Sequence, residues 1–594
     1  MPTYAAPVDD LAYVLAEVLE VQRLDNLPAY ADLSPDFIRD FLRGAADICE
    51  GVAQPLNQSG DAEGCRWEQG SVFTPKGFRE AYRAFADGGW IGLAFDPEHG
   101  GKGLPGVLAE SFYEMLAGAN LAFSGYIELS EAVFTAIAAH GTEAQKRLHL
   151  PKLASGEWTG AMHLTEAHAG SDLGRVRTRA EPAADGTWRL HGSKIFITNA
   201  EHDLADNIVH LVLARLPDGP PGARGLSLFL VPKHLPDGDG NPGVRNAVHC
   251  ASLEHKMGLR AAPTGVIVYE GAVGELVGQP HRGLQAMFTM VNDARLGVAL
   301  QGLGIAEAAC QNAARYARER RQGRAPGADA GGEAQPIIDH PDVRLMLLTQ
   351  RSFIDGARAL GLWVAMQIDL ARLHPDPDER RRADARAALL TPVIKAHFTD
   401  RGSEAANLAL QCHGGHGYIR EYGIEQFVRD VRVTQLYEGT NGIQALDLAR
   451  RKLALDEGRT LRALLDEIAD AAACSRAVPA AAPFGIALEA ALADLRQATA
   501  WMGRQVDAAP VEAAGAATDY LRLFGLVAVG WMWARMATVS ARALGTGKGD
   551  PGFHRRKLAV GRFYMERTLP ETALLARRVA CGADGLMELD AAAF

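Results

Sequence analysis

The chain has 594 residues, which is too long for one hydrophobic core, so several domains are expected. Apolar residues make up 48% and charged residues 22%, and this composition excludes disordered, collagen-like and disulfide-dense proteins. With 61 basic and 72 acidic residues the net charge is −11, which repels phosphate backbones and anionic membranes and predicts no nucleic-acid partner.

The cysteines and the N-terminal charges predict the compartment. Seven cysteines are scattered along the chain without a Cys-x-x-Cys pair, so we expect free thiols in a reducing environment and no metal site. Acidic residues beginning with Asp9 precede the first basic residue, Arg23, which is the reverse of the charge order in a targeting segment. The apolar stretch 524–534 is too short to span a bilayer. We therefore expect a cytoplasmic protein without a transmembrane segment.

Residues 1–158 have helical periodicity and predict an N-terminal all-α domain. Phe78, Tyr82 and Phe85 recur at helical spacing and form one apolar stripe. Thr142 followed by Gln145 has the spacing of a capping box, which predicts that a helix begins there. The glycine-rich segment 97–103 between them predicts a turn.

Residues 159–277 predict a central β-barrel domain. Segments 188–198, 208–216, 225–231 and 264–269 are short, apolar and separated by turn signals. No helix-length pattern separates these strands, so a small sheet or barrel is expected rather than a parallel doubly wound sheet.

Helical periodicity returns near residue 280 and continues to the end. It predicts a helical bundle over 278–470, a linker at 471–483 and an appended helical domain over 484–594, with a Gly/Ala/Pro-rich loop at 323–336. The apolar side of a helix predicted at 520–536 needs a partner surface, either on another subunit or on its own. The predicted fold class is therefore multi-domain α+β.

Two segments of the β region have the composition of a ligand site. Residues 162–172 place hydroxyls, a glycine and carboxylates after an apolar strand start, although a polar turn at a domain entrance is the alternative. In residues 192–199, strand alternation predicts that Lys194, Phe196 and Thr198 share one face. An aromatic ring beside a hydroxyl suits a flat heterocycle, and an ordinary cross-strand aromatic pair is the alternative.

The third candidate segment lies in the helical bundle. Glycines and one carboxylate, Glu438, interrupt apolar helical sequence at 411–418 and 435–444. A glutamate beside Tyr437 and Leu436 is expected to be partly desolvated, which raises its pKa and suits a general base. A solvated loop glutamate is the alternative.

Together these segments resemble one enzyme family. Leu164-Thr165-Glu166, Gly170-Ser171-Asp172 and Tyr437-Glu438-Gly439-Thr440 resemble the motifs of the flavin-dependent acyl-CoA dehydrogenases, over about residues 40–452. The whole chain is similar to the longer branch of that family, which has an extra C-terminal helical domain and includes long-chain fatty acyl-CoA dehydrogenases and 3-methylmercaptopropionyl-CoA dehydrogenases. The resemblance implies FAD as cofactor, an acyl-CoA substrate and an electron-transfer flavoprotein as partner.

The resemblance also assigns roles to single residues. It makes Glu438 the catalytic base, and the backbone N–H of Glu438 a donor to the enolate oxygen together with a ribityl hydroxyl of FAD. The positions that match flavin contacts are Met162, Leu164 and Thr165 at the ring, Ser171 near the phosphate, Phe196 and Thr198 against the ring, Arg320 and Gln322 toward a neighbouring subunit's FAD, Gln411, Gly414 and Gly415 on the adenosine side, and Thr440 and Gly442 on the phosphate side. The positions that match acyl-CoA contacts are Ser171, Asn292, Arg295, Tyr437 and Gly439.

The sequence departs from the family pattern at several of these positions. Phe196 replaces a tryptophan, no aromatic residue stands next to Gln322, and Asn292 stands where many relatives have aspartate. Some relatives carry the base just before the arginine of this helix, where this chain has Ala294, and the adjacent Asp293 is expected to be a solvated helix charge.

The implied reaction is α,β-dehydrogenation of an acyl-CoA to the trans-2-enoyl-CoA, with hydride transfer to flavin N5. The extra domain favours a medium- or long-chain fatty acyl-CoA by analogy, and 3-methylmercaptopropionyl-CoA is the alternative. An acyl-CoA oxidase that uses oxygen is a second alternative, because oxygen reactivity depends on solvent access to the flavin. The extra domain is also expected to cover the face through which shorter relatives form tetramers, which predicts a homodimer.

Three further motifs have simpler interpretations. Gly302-Leu303-Gly304 resembles the start of a dinucleotide fingerprint but lies in helical sequence without a preceding strand. His413 and His416 have the spacing of metal ligands but lack further ligands nearby, so loop histidines are expected. The basic run 554–557 is expected to be a solvated helix face.

Overall fold

The structure is a computed structural model that describes residues 2–327 and 332–594. Its α-helices are α1 (Val8–Tyr13), α2 (Pro35–Ile48), α3 (Asn57–Glu63), α4 (Phe78–Asp87), α5 (Gly106–His140), α6 (Glu143–Ser155), α7 (Gly283–Phe288), α8 (Val291–Glu319), α9 (Pro341–Leu373), α10 (Pro377–His413), α11 (Ile424–Val431), α12 (Asn441–Asp447), α13 (Arg459–Arg476), α14 (Ala482–Ala508), α15 (Pro510–Thr546), α16 (Pro551–Phe563) and α17 (Glu571–Ala580). Its strands are β1 (Arg66–Glu68), β2 (Ser71–Phe73), β3 (Trp158–His163), β4 (Arg179–Pro182), β5 (Trp188–Thr198), β6 (Asn207–Arg215), β7 (Leu226–Pro232), β8 (His234–Pro236), β9 (Pro242–Arg245), β10 (Val248–Leu253) and β11 (Thr264–Val277).

This element order confirms the predicted fold class of helices, then strands, then helices. The chain forms two compact units: unit 1 contains the described residues of 1–46, 110–118 and 295–594, and unit 2 contains 47–109 and 119–294. The bounds of the four predicted domains stay predictions. The predicted loop at 323–336 has neither helix nor strand over 323–327 and 332–336, and its residues 328–331 lie outside the described part of the chain.

Local sequence signals placed several helices of unit 2 correctly. Phe78, Tyr82 and Phe85 lie on α4 and are all buried. At the start of α6 the Thr142 hydroxyl accepts from the Gln145 N–H at 3.3 Å, and the Gln145 side chain accepts from the Thr142 N–H at 2.9 Å. The predicted capping box is therefore confirmed.

The β domain of unit 2 is a mixed seven-stranded sheet in the order β10-β11-β5-β4-β6-β3, with β7 paired to both β11 and β6. Because β7 pairs with both β6 and β11, the strand pairing closes on itself as in a barrel. The closure is weak between β4 and β6, which are joined by only one residue pair, Arg179 with Arg215. The predicted β domain is present, and it is a bent sheet rather than a regular barrel.

The sheet has an apolar core on both faces. Val209, Leu211 and Leu213 of β6 belong to one buried cluster, and Ile208 and Val212 belong to another. Because a strand directs alternate side chains to opposite faces, a strand buried on both faces has a continuous apolar sequence. This explains the unbroken apolar run that predicted β6.

Unit 1 contains a bundle of long helices in which the apolar middle of α15 is buried. Trp531 of α15 packs edge-on against Trp363 of α9 with ring centroids 5.0 Å apart, and the Trp533 indole N–H donates to the Ser352 carbonyl oxygen at 2.9 Å. The apolar side of this helix therefore has its partner within its own subunit, and it gives no support to a dimer interface.

Among the described residues, α5 and α15 are long and apolar enough to cross a membrane by length and composition. In their most apolar windows 67% and 89% of the residues are buried inside the protein. A burial of this kind is typical of core helices.

Candidate active site

The backbone of unit 1 turns sharply between a 3-10 turn that ends at Gln435 and the start of α12. Glu438 has φ +53° and Gly439 has φ +85°, so two consecutive residues adopt the left-handed region. A left-handed conformation costs a residue with a side chain about 1–2 kcal/mol. Strain of this kind clusters at functional sites, where surrounding contacts must maintain it.

Two buried side chains hold this turn through its carbonyl oxygens. The Gln444 amide donates to the oxygens of Glu438 and Gly439 at 3.0 and 3.1 Å. Lys395 Nζ of α10 donates to the Gly439 oxygen at 2.8 Å and to Asn441 Oδ1 at 2.9 Å. A Cβ on Gly439 would lie 2.8 Å from Gln444 Nε2, so only glycine fits there without displacing the amide.

Burial and two nearby cations act on the Glu438 carboxyl in opposite directions. Desolvation raises its pKa, and the positive charges of Arg295 and Lys395 counteract part of that rise. The net shift is upward, as the sequence predicted, and it brings the carboxylate closer to the proton affinity that a general base needs at neutral pH.

Arg295 and Tyr437, both predicted to contact substrate, have partners within unit 1. Arg295 Nη1 donates to Asp447 Oδ2 at 2.9 Å, and only 10% of the Arg295 side chain is exposed. The Tyr437 hydroxyl donates to Gln301 Oε1. The structure therefore places Arg295 as a buried, paired cation beside Glu438.

The other predicted site residues of unit 1 lie at loops and helix ends. Thr440 caps α12 by accepting from the Ile443 N–H at 3.4 Å. The predicted residues that are exposed are Arg320, Gln322, Gln411, Gly414, Gly415, Thr440 and Gly442. Arg320 donates to the Gln322 side chain at 3.4 Å, so the structure brings these two together.

The end of β3 and the loop after it form the candidate flavin segment of unit 2. Met162 is the fifth residue of β3 and is buried, while Leu164 and Thr165 are partly buried. The Thr165 carbonyl oxygen accepts from the Ile195 N–H at 3.0 Å, which ties the loop to β5. Ser171 is exposed farther along the loop.

Strand β5 does not keep the alternation that the sequence predicted. A β-bulge lies between Lys194 and Ile197, where the register against β11 shifts, and Phe196 has φ +59°. Because the bulge inserts a residue, Lys194 is fully buried whereas the Phe196 side chain is 60% exposed. The prediction that Lys194, Phe196 and Thr198 share one face is therefore wrong for Lys194.

Lys194 instead forms a buried ion pair under the candidate flavin segment. Its Nζ lies 2.9 Å from both Glu166 Oε1 and the Leu164 carbonyl oxygen. Glu166 also accepts from the N–H groups of Arg177 and Thr178 at 2.7 and 2.9 Å. These contacts hold the pKa of Glu166 below its usual value, so the pair fixes the loop with charge-assisted hydrogen bonds.

Two substrate candidates lie near the start of α8. Asn292 is partly buried in its first turn, and Arg295 is the buried cation described above. Asp293, which was expected to be a solvated helix charge, is partly exposed.

The histidines and glycines singled out in unit 1 have structural roles. His413 stacks on Tyr316 with centroids 4.3 Å apart, and His416 Nδ1 lies 2.7 Å from the Tyr316 hydroxyl. Within the described residues no group of histidine, cysteine and acidic side chains could hold a metal ion.

A Cβ on Gly302 would lie 3.1 Å from the Thr399 Cα, so this glycine permits close packing of helices.

Sequence reasoning missed Lys395, Gln444 and the Lys194–Glu166 pair. One signal was available for Lys395, because it is a charged residue inside the apolar helical run Thr391-Pro392-Val393-Ile394-Lys395-Ala396. A lysine is almost never fully buried unless it is paired, so such a position indicates a partner.

Comparison with known proteins shows which family the chain belongs to. Four domain profiles match the chain: "Acyl-CoA dehydrogenase, N-terminal domain" at residues 44–157, "Acyl-CoA dehydrogenase, middle domain" at 161–272, "Acyl-CoA dehydrogenase, C-terminal domain" at 281–453 and "Acetyl-CoA dehydrogenase C-terminal like" at 464–590. A 3-methylmercaptopropionyl-CoA dehydrogenase of Ruegeria pomeroyi is 41% identical over 98% of this chain and 99% of its own.

Two further proteins extend the similarity over the full length. A broad-specificity linear acyl-CoA dehydrogenase of Mycobacterium tuberculosis is 34% identical and both chains are covered completely. The crystal structure of Caenorhabditis elegans ACDH-11 superposes with a TM-score of 0.79 at 19% identity, over 99% of this chain and 96% of that one, which shows a shared fold. With full-length identity of this degree and matching profiles along its length, the chain belongs to the acyl-CoA dehydrogenase family of FAD-dependent oxidoreductases.

Proposed function

We propose that this enzyme removes the α and β hydrogens of an acyl-CoA thioester to give the trans-2-enoyl-CoA, with Glu438 as the base. The observation that carries the proposal is the left-handed turn at Glu438, held by Lys395 and Gln444, with a carboxyl whose pKa is raised by burial. A strained glutamate with this proton affinity is suited to proton abstraction from carbon.

The α-proton beside a thioester is too weakly acidic for an unaided carboxylate, so the enolate oxygen must be stabilised as charge develops. We assign the backbone N–H of Glu438 as one donor, by the family resemblance. Fixed donors of this type stabilise an oxyanion more than water does, because they need not reorient during the reaction.

As a member of its family the enzyme binds FAD, and the β domain of unit 2 has features that suit a flat ring. The bulge of β5 fixes Phe196 on a rigid strand while leaving 60% of its side chain exposed. An aromatic face held in this way suits stacking on a heterocycle. When bound, the flavin supplies the hydride acceptor at N5.

Our proposal for the flavin contacts rests on the residues that match the family motifs. We propose that Met162, Leu164, Thr165 and Thr198 contact the ring with Phe196. We propose phosphate- and adenosine-side contacts for Ser171, Gln411, Gly414, Gly415, Thr440 and Gly442, and contacts to a neighbouring subunit's FAD for Arg320 and Gln322.

For acyl-CoA we propose contacts by Ser171, Asn292, Tyr437 and Gly439. Arg295 is better supported as a charge beside Glu438, because its guanidinium already pairs with Asp447.

Two substrate classes remain in competition. The appended helical domain led us to expect a medium- or long-chain fatty acyl-CoA. The full-length relative at 41% identity is named for a short thioether substrate, 3-methylmercaptopropionyl-CoA, and this favours a short acyl chain. Values of kcat/KM for a series of straight-chain acyl-CoAs and for the thioether substrate, measured with a dye acceptor, decide between them.

The proposed electron acceptor is an electron-transfer flavoprotein, and the competing acceptor is oxygen. An oxidase would consume oxygen and release hydrogen peroxide during turnover without added dye. We also propose a cytoplasmic homodimer, and light scattering at a tetramer mass would reject the dimer.

The central experiment replaces Glu438 with glutamine, which keeps the shape of the side chain and removes the base. Glu438→Gln should retain flavin absorbance and acyl-CoA binding and should lose at least ~10²-fold in the rate of flavin reduction. The matched control is Glu457→Gln, because Glu457 is an exposed glutamate with φ +56°. Flavin reduction by Glu438→Gln at the wild-type rate would falsify the assignment.

A further inference from the structure

Lys395 is a fully buried lysine in the middle of α10. Its relative exposure is 0%, and its neighbours along the helix, Val393, Ile394 and Ala396, are buried apolar residues. Transfer of an unpaired ammonium group into such surroundings is strongly unfavourable, so a lysine persists there only where its donors and charge are used.

Two of the three donors of Lys395 are directed at the turn that carries Glu438. They reach the Gly439 carbonyl oxygen at 2.8 Å and Asn441 Oδ1 at 2.9 Å. The amide nitrogen of Asn441 in turn donates to Asp400 Oδ1 at 2.7 Å and to the Thr399 hydroxyl at 2.9 Å. Asn441 therefore connects the turn to α10 twice: its amide oxygen accepts from Lys395, and its amide nitrogen donates to Thr399 and Asp400.

The turn depends on these contacts because one of its two residues is strained. The left-handed conformation of Glu438 is strained, and the oxygen of Gly439 is shared by Lys395 and Gln444. If Lys395 lost its ammonium group, the Gly439 carbonyl would keep only the Gln444 amide as donor, and Asn441 Oδ1 would lose its nearest donor. The Glu438 side chain is attached to this same turn, so its position depends on Lys395.

We propose that Lys395 is a positioning residue of the dehydrogenation: its ammonium group holds the Glu438–Gly439 turn in the reactive conformation and places a fixed positive charge beside the base. This inference deepens the proposed function and rests on Glu438 being the base.

The charge of Lys395 has a consequence that can be measured separately from its hydrogen bonds. The charged groups that face it are Glu438, Arg295 and Asp400. Burial lowers the pKa of Lys395 to about 8, so the group is still mostly charged at neutral pH. Removal of this cation raises the pKa of Glu438 further, because only Arg295 then opposes desolvation.

The experiment uses two variants of the flavin-loaded enzyme. Lys395→Met keeps most of the apolar stem and removes both the donors and the charge, whereas Lys395→Gln removes the charge and keeps an amide N–H donor on a side chain one bond shorter. The measurements are kcat, KM and the pH dependence of kcat/KM, whose acid limb reports the base of the free enzyme. Lys557→Met is the control, because Lys557 is another buried lysine of unit 1 that contacts neither the turn nor Glu438.

We expect Lys395→Met to lose ~10–10²-fold in kcat, as misplacement of a reacting group does, with KM nearly unchanged. Its acid limb should move to higher pH by about one unit, the usual effect of losing a nearby opposite charge. Lys395→Gln should show the same movement of the limb with a smaller loss of kcat. Lys557→Met should lower the thermal midpoint and leave the acid limb where it is in the wild type.

The outcomes separate this inference from the proposed function. Wild-type kcat and acid limb in both Lys395 variants, alongside an inactive Glu438→Gln, would overturn the role of Lys395 alone. An active Glu438→Gln would overturn the proposed function. If kcat fell only in proportion to the loss of folded protein and the acid limb did not move, Lys395 would contribute to stability alone. Failure of both Lys395 variants to fold would lead to the same conclusion. Either result would overturn the inference.

Discussion

Lys194 Nζ lies 2.9 Å from Glu166 Oε1, and neither side chain is more than 5% exposed. The pair joins strand β5 to the loop after β3, the two segments proposed to contact the flavin ring. Burial lowers the pKa of Lys194 to about 8, and Glu166 opposes that shift by favouring the charged form. The pair is thus a buried contact on which the shape of the flavin segment depends.

Removal of either partner should destabilise this part of the enzyme. Lys194→Met leaves the Glu166 carboxylate buried without its cation, and breaking a buried pair in this way costs about 3–5 kcal/mol. Urea unfolding followed by flavin fluorescence should show a lower midpoint together with weaker FAD retention. Glu181→Gln is the control, because it removes the exposed pair with Arg179 and should leave the midpoint unchanged. An unchanged midpoint in Lys194→Met would show that the pair does not stabilise the loop.

The local parts of the fold could be predicted from the sequence because their causes are local. The capping box of Thr142 and Gln145 depends on residues three positions apart, and β6 is a continuous stretch of mostly apolar residues. A carboxylate among glycines in apolar sequence made Glu438 a candidate, and the resemblance to the acyl-CoA dehydrogenases assigned it the role of base.

The remaining features depend on contacts between segments far apart in the chain. The bulge at Phe196 arises from the register of β5 against β11, which lies about seventy residues later, so alternation alone misplaced Lys194. The buried side of α15 is complementary to α9, and one sequence shows the apolar side without showing its partner. Lys395 contacts a turn more than forty residues away, and only its apolar surroundings indicated that it has a partner.

Three buried histidines in unit 2 predict a loss of stability in acid. Burial lowers the pKa values of His163, His202 and His210, and that of His210 falls to about 3. The positive charges of Lys194, Lys233 and Arg245 act in the same direction. Because the folded-state pKa is below the unfolded value of about 6.5, the stability is present above pH 6.5 and is lost as pH falls.

The measurement is the free energy of unfolding at pH 7.5 and pH 5.5. Each histidine that stays neutral in the folded state should contribute a loss of about 1.4 kcal/mol between these pH values. His210→Gln should reduce the difference by one such contribution. His255→Gln is the control, since solvent reaches this exposed side chain in the folded protein. A difference in His210→Gln equal to that of the wild type contradicts the prediction.

Lys557 joins the appended helices to the rest of unit 1, although the sequence predicted a solvated basic run at 554–557. Its Nζ lies 2.6 Å from Asp10 Oδ1 and 2.8 Å from Asp355 Oδ2, and its side chain is 5% exposed. The prediction is confirmed for Arg555 and Arg556, which are exposed, and is wrong for His554 and Lys557, which are one helical turn apart and share the buried side of α16. Through its two ion pairs Lys557 therefore connects α16 to α1 and α9.

Lys557→Met should lower the free energy of unfolding by about 1–3 kcal/mol, because two carboxylates lose a shared buried donor while each keeps an arginine within 4.0 Å. Chemical denaturation monitored by tryptophan fluorescence is the measurement, since Trp531 and Trp533 lie in the neighbouring α15. Arg555→Met on the exposed side of the same helix is the control and should change stability little. Equal stability of the two variants would show that the ion pairs of Lys557 do not stabilise the fold.

A pair of glycines allows helices α8 and α10 to approach closely, and alanine at one of them should separate the helices. A Cβ at Gly402 would lie 2.5 Å from the Gly302 carbonyl oxygen, which is backbone and cannot rotate away. Gly402→Ala should therefore destabilise unit 1 by about 1–3 kcal/mol, the usual cost of overpacking. Gly503 of α14 is the matched control, because a Cβ there meets no atom within 4 Å, and Gly503→Ala should stabilise the helix by about 0.5–1 kcal/mol. Thermal unfolding of the two variants should thus shift in opposite directions, and a shift of the same sign in both would contradict the packing role of Gly402.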